Sequence, residues 1–391
     1  MILQHIHVGA GVKRLQALYN LIMLSARRIQ WGLVASLIFL AVLSKLRFNG
    51  LILNFDYGIY QPDGSHYTYR TLTFLGVDSN LAAKEVVDWY RIHGIKNNSF
   101  DVNLLSPENK QVWGLVAPRI LYSLLSIPFV YILGIAGMMV IPILSFIVLI
   151  WAIFRLSEIY NQQYMGILLV IGLTTSPTVL RWMIANITDS LLTGLFSIAM
   201  LLFLRDSSGK AWYFSLASLI LLTSSTRFSL PIWIAISLVY LISGRRKCAV
   251  FILLTSIIAF IPTYLFMPSN AILPANVEFS GFQKSIQLFF SFFKVGFIET
   301  AQLAALDRIL LSILTFALIA SLLNFRQFPS QVFLAVLMSV WLIGAINGTL
   351  GVNFRYQLPI IPFTCWTIIS NLSQFTCWNS WRRVNVISKK T

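Results

Sequence analysis

Long apolar runs alternate with short polar segments along most of the chain, and this pattern predicts helices that cross a membrane. A spanning helix needs about 20 mostly apolar residues, and such runs recur between residues 31 and 373. The predicted spans are 31–50, 135–154, 164–180, 190–204, 211–225, 229–243, 249–267, 306–323, 331–347 and 356–373. The pattern therefore predicts an all-α polytopic membrane protein with about ten transmembrane helices.

Two longer segments interrupt the alternation, and both are predicted to lie outside the cytoplasm. The first, 51–112, holds seven of the 13 acidic residues, and a segment this polar cannot lie in hydrocarbon. An interfacial helix over about 114–130 follows, so that 51–130 forms one outer loop with juxtamembrane helices. The second, 268–305, carries Phe and Ile at helical spacing over about 281–295, which predicts another interfacial helix.

The composition supports the same class, because 57% of the 391 residues are hydrophobic and only 11% are charged. Soluble domains average about 45–50% apolar and about 25% charged residues. No internal repeat and no Gly- or Ser-rich linker divides the sequence, so 1–391 is expected to form a single membrane domain. The three cysteines show no metal-binding or disulfide spacing.

The net charge of +16 is spread in small basic groups between the apolar runs. This distribution is typical of the positive-inside rule and not of a nucleic-acid-binding stripe, so the lipid bilayer is the expected partner and nucleic acid is excluded. With both termini in the cytoplasm, the basic loops 155–163, 205–210, 244–248 and 324–329 all fall on the cytoplasmic side. The expected localisation is multi-pass in the plasma (inner) membrane.

The first outer loop contains carboxylates that suit catalysis. Asp63 stands in the turn sequence Pro62-Asp63-Gly64, just ahead of His66 and Tyr67. Asp63 can cap the helix that follows, and it can also act as a general base toward a hydroxyl group. The two roles are compatible, because a capping position at a helix start also fixes where the carboxylate points.

Charges at the outer ends of the predicted spans are further candidates, since charge near a bilayer is costly unless it is paired or wetted. Arg355 begins the last span and suits a phosphate ligand, because its planar guanidinium donates two parallel hydrogen bonds. Arg355 can instead anchor the span at the interface, and Asp189 can merely cap its own helix. The other outer-side charges are Arg119, Arg181, Arg227, Lys284, Lys294, Glu299, Asp307 and Arg308.

Three motifs resemble those of the type-C membrane glycosyltransferases, which take a sugar from a polyprenyl-phosphate carrier on the non-cytoplasmic face. They are Asp63-Gly-Ser-His-Tyr67 in the first loop, the segment 180–192 around Asp189, and Phe354-Arg355-Tyr356-Gln-Leu-Pro359 at the last span. The resemblance extends over most of 31–373. Many family members carry two acids close together in the first loop, whereas Asp56 and Asp63 are seven residues apart.

The resemblance implies an inverting hexosyl- or pentosyltransferase of the cell envelope. The donor would be a polyprenyl-phosphate-linked sugar, and the acceptor a hydroxyl of a lipid, glycan or protein. Asp63, or alternatively Asp56, would be the catalytic base, and Arg355 with Tyr356 would bind the donor phosphate. The second-rank site candidates are Arg181, Asp189, Arg227, His66 and Tyr67. No metal ligand and no cofactor is assigned, although a divalent metal is compatible with this chemistry.

Two other functional classes remain open. A lipid or solute transporter or flippase is expected to place charged groups near the bilayer midplane and to show repeated halves, whereas these charges gather on the outer side. A polysaccharide polymerase or ligase shares the lipid-linked donor, but its largest loop is expected late in the chain and here it comes first. The most informative experiment is a transfer assay in membranes with a panel of polyprenyl-phosphate sugars, which compares the wild type with Asp63→Asn.

Overall fold

Helices make up the computed structural model, which describes residues 62–93, 105, 119–205, 209–227, 229–266, 281–346 and 355–388. No β-strand occurs within these ranges, so the all-α part of the prediction is confirmed. All of them belong to the unit Phe48–Thr391, and the unit Met1–Arg47 lies outside the described residues. The predicted first span and Asp56 lie outside them too.

The described residues form fourteen α-helices and two 3-10 turns. In chain order the helices are α1 (Pro62–Phe74), α2 (Ser79–His93), α3 (Leu121–Leu133), α4 (Val140–Ile159), α5 (Gln163–Thr175), α6 (Pro177–Met183), α7 (Thr188–Phe203), α8 (Lys210–Thr226), α9 (Leu230–Ile242), α10 (Arg246–Phe266), α11 (Gly281–Leu306), α12 (Arg308–Leu323), α13 (Phe328–Ile346) and α14 (Ile361–Ser388). The first 3-10 turn, Gly134–Met139, precedes α4, and the second, Arg355–Ile360, precedes α14.

The predicted spans agree with most helices of the second half of the chain. Helices α7 to α10, α12 and α13 each begin and end within three residues of a predicted span. The last predicted span, 356–373, lies within the second 3-10 turn and α14, and α14 continues beyond it to Ser388. No Gly or Pro follows Pro362 within this helix, so nothing in the local sequence stops it.

The apolar stretch 113–154 is divided in two as predicted, and a sharp reversal makes the division. Gly134 ends α3 with a φ of 61°, a conformation that favours glycine. The first 3-10 turn then folds back along α3, since the Tyr122 hydroxyl donates to the Met138 carbonyl at 2.7 Å. The stretch 121–159 therefore consists of two consecutive helices, α3 and α4, joined by this turn.

The predicted span 164–180 is not one straight helix, because α5 and α6 meet at an angle of 75°. The break falls at Ser176, which precedes Pro177 and has an extended ψ of 117°. A residue before proline is pushed out of the helical conformation by a clash with the proline ring. Asp307 holds the bend, because its carboxylate accepts hydrogen bonds from the Ser176 hydroxyl and, at 3.0 Å, from the Thr178 amide.

Helix α7 forms the centre of the bundle, with buried side chains on all of its faces. It packs against α4, α8, α14 and the second 3-10 turn. Two of its buried hydroxyl groups bond to carbonyls of the same helix, Thr193 to Asp189 and Ser197 to Thr193, both at 2.8 Å. A helix that is enclosed all round in this way is typical of the core of a large or membrane-embedded bundle.

Helices consecutive in the chain run antiparallel in the region from α7 to α10. The Trp212 indole at the start of α8 donates to the Leu202 carbonyl near the end of α7 at 3.1 Å. The Trp233 indole near the start of α9 donates to Thr223 near the end of α8 at 2.8 Å. The helix termini are therefore collected at two opposite ends of the bundle.

An aromatic cluster marks one of these ends. The Trp366 ring lies 6.4 Å from Phe203 and 5.9 Å from Phe328, and its indole donates to the Tyr160 hydroxyl at 3.1 Å. Tyr240 joins the cluster with its ring 5.0 Å from Phe328. This end is termed the basic end, because its helix termini carry Arg155, Arg205, Lys210, Arg245, Arg246, Lys247 and Arg326. The opposite end, which holds α1 and the start of α7, is termed the site end.

Two of the described stretches, Leu121–Ile159 and Arg246–Thr263, are long and apolar enough to cross a membrane, or three if α5 and α6 count as one span. Helices α7, α9, α12 and α13 are apolar as well but shorter. The outer face of α10 carries large apolar side chains that are each 46 to 72% exposed: Val250, Leu254, Ile257, Ile258, Ile261 and Leu265. A continuous apolar row of this kind favours apolar surroundings.

The stretch predicted as an interfacial helix over 281–295 is helical, and the helix is longer than predicted. Helix α11 runs from Gly281 to Leu306 and packs against α12 and α13. Gly296 lies against the Trp341 ring of α13, and a β-carbon added at this position would be 3.1 Å from the ring atoms. Position at a membrane interface stays a prediction.

Candidate functional site

Helix α1 begins at Pro62, which suits the first helical position because the missing N–H needs no partner there. Asp63 follows inside the first turn, where a negative charge is favoured by the helix dipole. The helix thus starts two residues earlier than a capping role for Asp63 would require. The Asp63 side chain is exposed, so its carboxylate is accessible to a substrate at the site end.

His66 lies one turn after Asp63 and is partly enclosed. Burial lowers the pKa of the His66 imidazole from its ordinary value of 6.5, and the charge of Asp63 offsets part of that shift. The ring is therefore neutral at physiological pH. Its Nδ1 atom is buried without a hydrogen-bond partner among the described residues. A neutral imidazole near a carboxylate can orient a hydroxyl group or exchange a proton with it.

Tyr67 is buried and holds α1 against α3. Its ring meets that of Tyr122 edge to face, with the centroids 5.5 Å apart, and its carbonyl accepts from the Ser123 hydroxyl at 3.1 Å. The Tyr67 hydroxyl accepts a hydrogen bond from the Arg119 guanidinium at 3.4 Å. These contacts assign Tyr67 a packing role, and they bring the positive charge of Arg119 close to α1.

Asn186 joins the start of α1 to α2 through buried hydrogen bonds. Its side-chain amide donates to the Tyr90 hydroxyl, which also bonds to Thr68 Oγ1 at 2.9 Å. Gly64 lies so close to Asn186 that a β-carbon would overlap the Asn186 backbone carbonyl. The residue after Asp63 is thereby fixed against the turn that leads into α7.

Asp189 and Arg227 form an ion pair at the same end. Asp189 lies in the first turn of α7, and Arg227 directly follows the last residue of α8. Only 1% of the Asp189 side chain and 7% of the Arg227 side chain are exposed. Buried charges are stable only when paired in this way. Two of the second-rank candidates are therefore brought together by the fold.

Two unsatisfied polar groups lie at this end as well. Thr188, at the start of α7, is fully buried, and its hydroxyl has no hydrogen-bond partner among the described residues. The Gln357 amide nitrogen, in the second 3-10 turn, is likewise buried without a partner there. That turn packs against α7, and the Phe363 ring after it lies 5.9 Å from Phe196, about two turns into α7. Buried donors without partners are rare and costly, and these two groups can donate hydrogen bonds to a ligand.

The remaining sequence candidates are only partly described. Arg355 and Tyr356 lie in the second 3-10 turn and hence at the site end, but their side chains are outside the described residues, as is all of Asp56. The Arg181 guanidinium lies 4.5 Å from the centre of the Trp182 ring, in the last turn of α6. The structure thus places the backbone of the predicted phosphate-binding residues beside the helix that carries Asp189.

Asp307 is more important to the site end than its sequence context indicates. The side chain is 2% exposed, caps α12 by accepting from the Leu310 amide at 3.0 Å, and also bonds to the start of α6. The sequence indicates only that Asp307 is one of the outer-side charges and gives it no particular role. The available signal was its position before an apolar helix, together with Ser176-Pro177 at the start of another.

The site end therefore combines an exposed carboxylate, a neutral imidazole, a buried ion pair and two unsatisfied donors. Such a set can take a proton from a hydroxyl group and donate hydrogen bonds to an oxygen-rich ligand. Among the described residues, no three His, Cys, Asp or Glu side chains are grouped as metal ligands would be.

No protein-family model, curated protein or solved structure matches the chain. Function therefore has to be inferred from the residues of this chain alone.

Proposed function

We propose that the chain is a multi-pass membrane protein with its basic end in the cytoplasm and its site end outside. The apolar outward face of α10 supports embedding in lipid. The concentration of Arg and Lys at one end supports the orientation, because cytoplasmic loops carry an excess of these residues. Buried Ser and Thr hydroxyls that bond back to their own helix, as on α7, suit apolar surroundings. About ten spans, with both termini in the cytoplasm, are part of this proposal.

We infer that the protein is a membrane glycosyltransferase that uses a polyprenyl-phosphate sugar on the outer face. One observation carries the proposal: Gly64, the neighbour of Asp63, is packed on Asn186, three residues before the buried Asp189. An accessible carboxylate, an ion pair and the backbone of Arg355 are thus gathered at the end that faces outward. Inverting sugar transfer needs a base for the acceptor and positive charge for the donor phosphate.

In the proposed reaction Asp63 accepts the proton of the acceptor hydroxyl. The hydroxyl oxygen forms a bond to the anomeric carbon on the face opposite the phosphate, with an oxocarbenium-like transition state of the kind found in glycoside cleavage. The bond between the anomeric carbon and the phosphate oxygen breaks, and its electron pair leaves with the polyprenyl phosphate. Arg355 and Tyr356 bind that phosphate, and Arg355 stabilises the charge that develops on it.

The choice of base is Asp63, with Asp56 as the alternative. Asp189 suits this role less, because its carboxylate is buried and paired with Arg227. Asp189 and Arg227 instead shape the floor of the site, where Thr188 and Gln357 offer donors to hydroxyl groups of the sugar or to the phosphate.

The decisive experiment is a transfer assay in membranes with a panel of polyprenyl-phosphate sugars and lipid, glycan and protein acceptors. Asp63→Asn is expected to lower turnover by at least about 100-fold, since general-base catalysis contributes about 10²–10⁴-fold. Asp88→Asn, an exposed acid on α2, is the matched control and should keep wild-type activity. Activity retained by Asp63→Asn but lost by Asp56→Asn would transfer the role of base to Asp56. Transfer from none of the donors would contradict the proposal.

A transporter is the second candidate, and the break between α5 and α6 favours it. Broken helices line the substrate sites of many transporters, and the 75° bend at Ser176 is such a break. Against this, the charged residues of α7 to α10, α12 and α13 lie in the first turn of their helices and not halfway along them. Uptake of a lipid-linked sugar analogue into proteoliposomes, without transfer of its sugar, would favour the transporter.

A further inference from the structure

A groove lies between α9 and α13, away from the site end. Its volume is about 460 Å³, and its walls are almost wholly apolar. Its walls include Ala235, Leu238 and Ile242 from α9, and Gln331, Ala335 and Met338 from α13.

The groove reaches the basic end of its two helices. Ile242 is the last residue of α9, and Gln331 lies in the first turn of α13, where its side chain accepts a hydrogen bond from the Ser243 hydroxyl at 3.4 Å. Ser339 lines the groove further from that end, and its hydroxyl bonds to the Pro231 carbonyl at 3.2 Å. From Gln331 to Ser339 the helix rises by roughly 12 Å.

Two arginines lie near the basic end of the groove. The Arg245 guanidinium carbon lies 5.6 Å from the ring centre of Phe328, one turn before Gln331. Arg326 directly follows the groove residue Phe325, and both Arg245 and Arg326 are exposed. No acidic residue occurs in the segments 229–266 and 324–346, which build the groove and its mouth.

We propose that this groove binds an anionic phospholipid of the bilayer, with an acyl chain between α9 and α13 and the phosphate on Arg245 and Arg326. An apolar channel with a basic mouth selects a ligand that is apolar along its length and negative at its head, and basic pockets between spanning helices bind anionic headgroups in this way. The inference rests on the proposed membrane embedding but not on sugar transfer.

The polyprenyl-phosphate donor is not the occupant. In the proposed reaction its phosphate lies at the site end, beside the second 3-10 turn, whereas Arg245 and Arg326 lie at the basic end. A lipid of the cytoplasmic leaflet has its headgroup at the level of these two arginines, and that leaflet carries the anionic lipids.

The test is native mass spectrometry of the full-length protein in detergent, titrated with dioleoyl phosphatidylglycerol or dioleoyl phosphatidylcholine. The wild type is expected to retain phosphatidylglycerol preferentially. The double variant Arg245→Gln/Arg326→Gln should bind it about 10- to 30-fold more weakly, as expected for two basic residues near a headgroup. Arg205→Gln/Lys210→Gln removes two exposed basic residues from the same end, remote from the groove, and should bind like the wild type.

A second variant tests the apolar part of the site separately. Ala335→Trp keeps both arginines and fills the groove, so it should reduce retention of phosphatidylglycerol to the level of phosphatidylcholine. This variant also decides the question if the arginine variant does not fold. Equal retention of the two lipids by the wild type would overturn the proposal, and so would undiminished binding by Ala335→Trp. Loss of sugar transfer in Asp63→Asn with intact lipid retention separates this site from the catalytic one.

Discussion

Arg227, at the end of α8, holds the Asp189 carboxylate in the first turn of α7, and protein surrounds both charges almost completely. Each charge also suits its own helix, because an acid is favoured at a helix start and a base at a helix end. The pair therefore fixes the antiparallel contact of two consecutive helices at the end where the candidate site lies. Removal of the pair should lower the stability of the protein as well as its activity.

Asp189→Asn leaves the Arg227 charge buried without its counter-ion. Loss of one partner of a buried ion pair costs about 3–5 kcal/mol, so the variant should melt at a clearly lower temperature in detergent. The double variant Asp189→Asn/Arg227→Met removes both charges and should recover a large part of that loss. A double variant no more stable than Asp189→Asn would show that the charges are not coupled. Glu85→Gln, on the exposed face of α2, serves as the control.

Tyr90→Phe removes the hydroxyl that connects Asn186 with Thr68. Two buried polar groups lose a partner, which costs about 1–3 kcal/mol. The contact of α2 with the start of α7 should loosen, and limited proteolysis between α2 and α3 should become faster. Tyr164→Phe, at a side chain that is 86% exposed, should show neither effect. Unchanged proteolysis in Tyr90→Phe would contradict a role for this hydroxyl in holding α1 and α2.

Asp307→Asn tests the carboxylate that serves two helices. Asp307 uses one oxygen for the start of α12 and the other for the start of α6. An asparagine has only one acceptor oxygen, so one helix start loses its cap at a cost of about 1–2 kcal/mol. Asp78 caps α2 alone, accepting from the Asn80 amide at 2.9 Å. Asp78→Asn should thus be nearly neutral in thermal denaturation, and equal losses in the two variants would argue against the double cap.

The stability of the site end should decrease in mild acid because of His66. Burial lowers the pKa of His66 in the folded protein below the 6.5 of the unfolded chain. As the pH falls below that value the unfolded chain binds a proton before the folded one does, so the free energy of unfolding decreases. At pH values above the pKa of His66 in the unfolded chain, this loss in the free energy of unfolding is absent. Between about pH 8 and pH 5 the melting temperature of the wild type should fall by more than that of His66→Gln.

Cysteine labelling tests the proposed orientation. Lys84 lies on the exposed face of α2, within the predicted outer loop, and Lys210 lies at the start of α8, at the basic end. Both side chains are accessible. In a variant without native cysteines, Lys84→Cys should react with an impermeant maleimide added to intact cells. Lys210→Cys should react only after the cells are opened. Labelling of Lys210→Cys from outside would invert the orientation and contradict the outer site.

Helix positions could be predicted from the sequence because long apolar runs set them. α8, for example, begins and ends within one residue of its predicted span, 211–225. The bend at Ser176 was missed although Pro177 was visible, because an apolar run containing one proline also fits a single kinked span. What completes the bend is Asp307, and a contact so distant in sequence leaves no local pattern.

The candidate site was foreseen in its residues but not in their partners. Asp189 and Arg227 were both selected as outer-side charges, yet nothing in either segment indicates that each neutralises the other. Asn186 was not selected, since an amide before a helix start usually signals only a turn. Its contacts with Gly64 and Tyr90 depend on the packing of α1 and α2, which no spacing in the sequence reveals.

The bond between Ser176 and Asp307 has a consequence for biosynthesis. The two residues are 131 positions apart in the chain. A ribosome that adds about 5–20 residues per second takes roughly 7–26 s to cover that distance. Throughout this interval the start of α6 lacks the carboxylate that caps it in the finished protein. The angle between α5 and α6 is therefore secured only once translation has delivered α12, and termination before that residue leaves the bend without its cap.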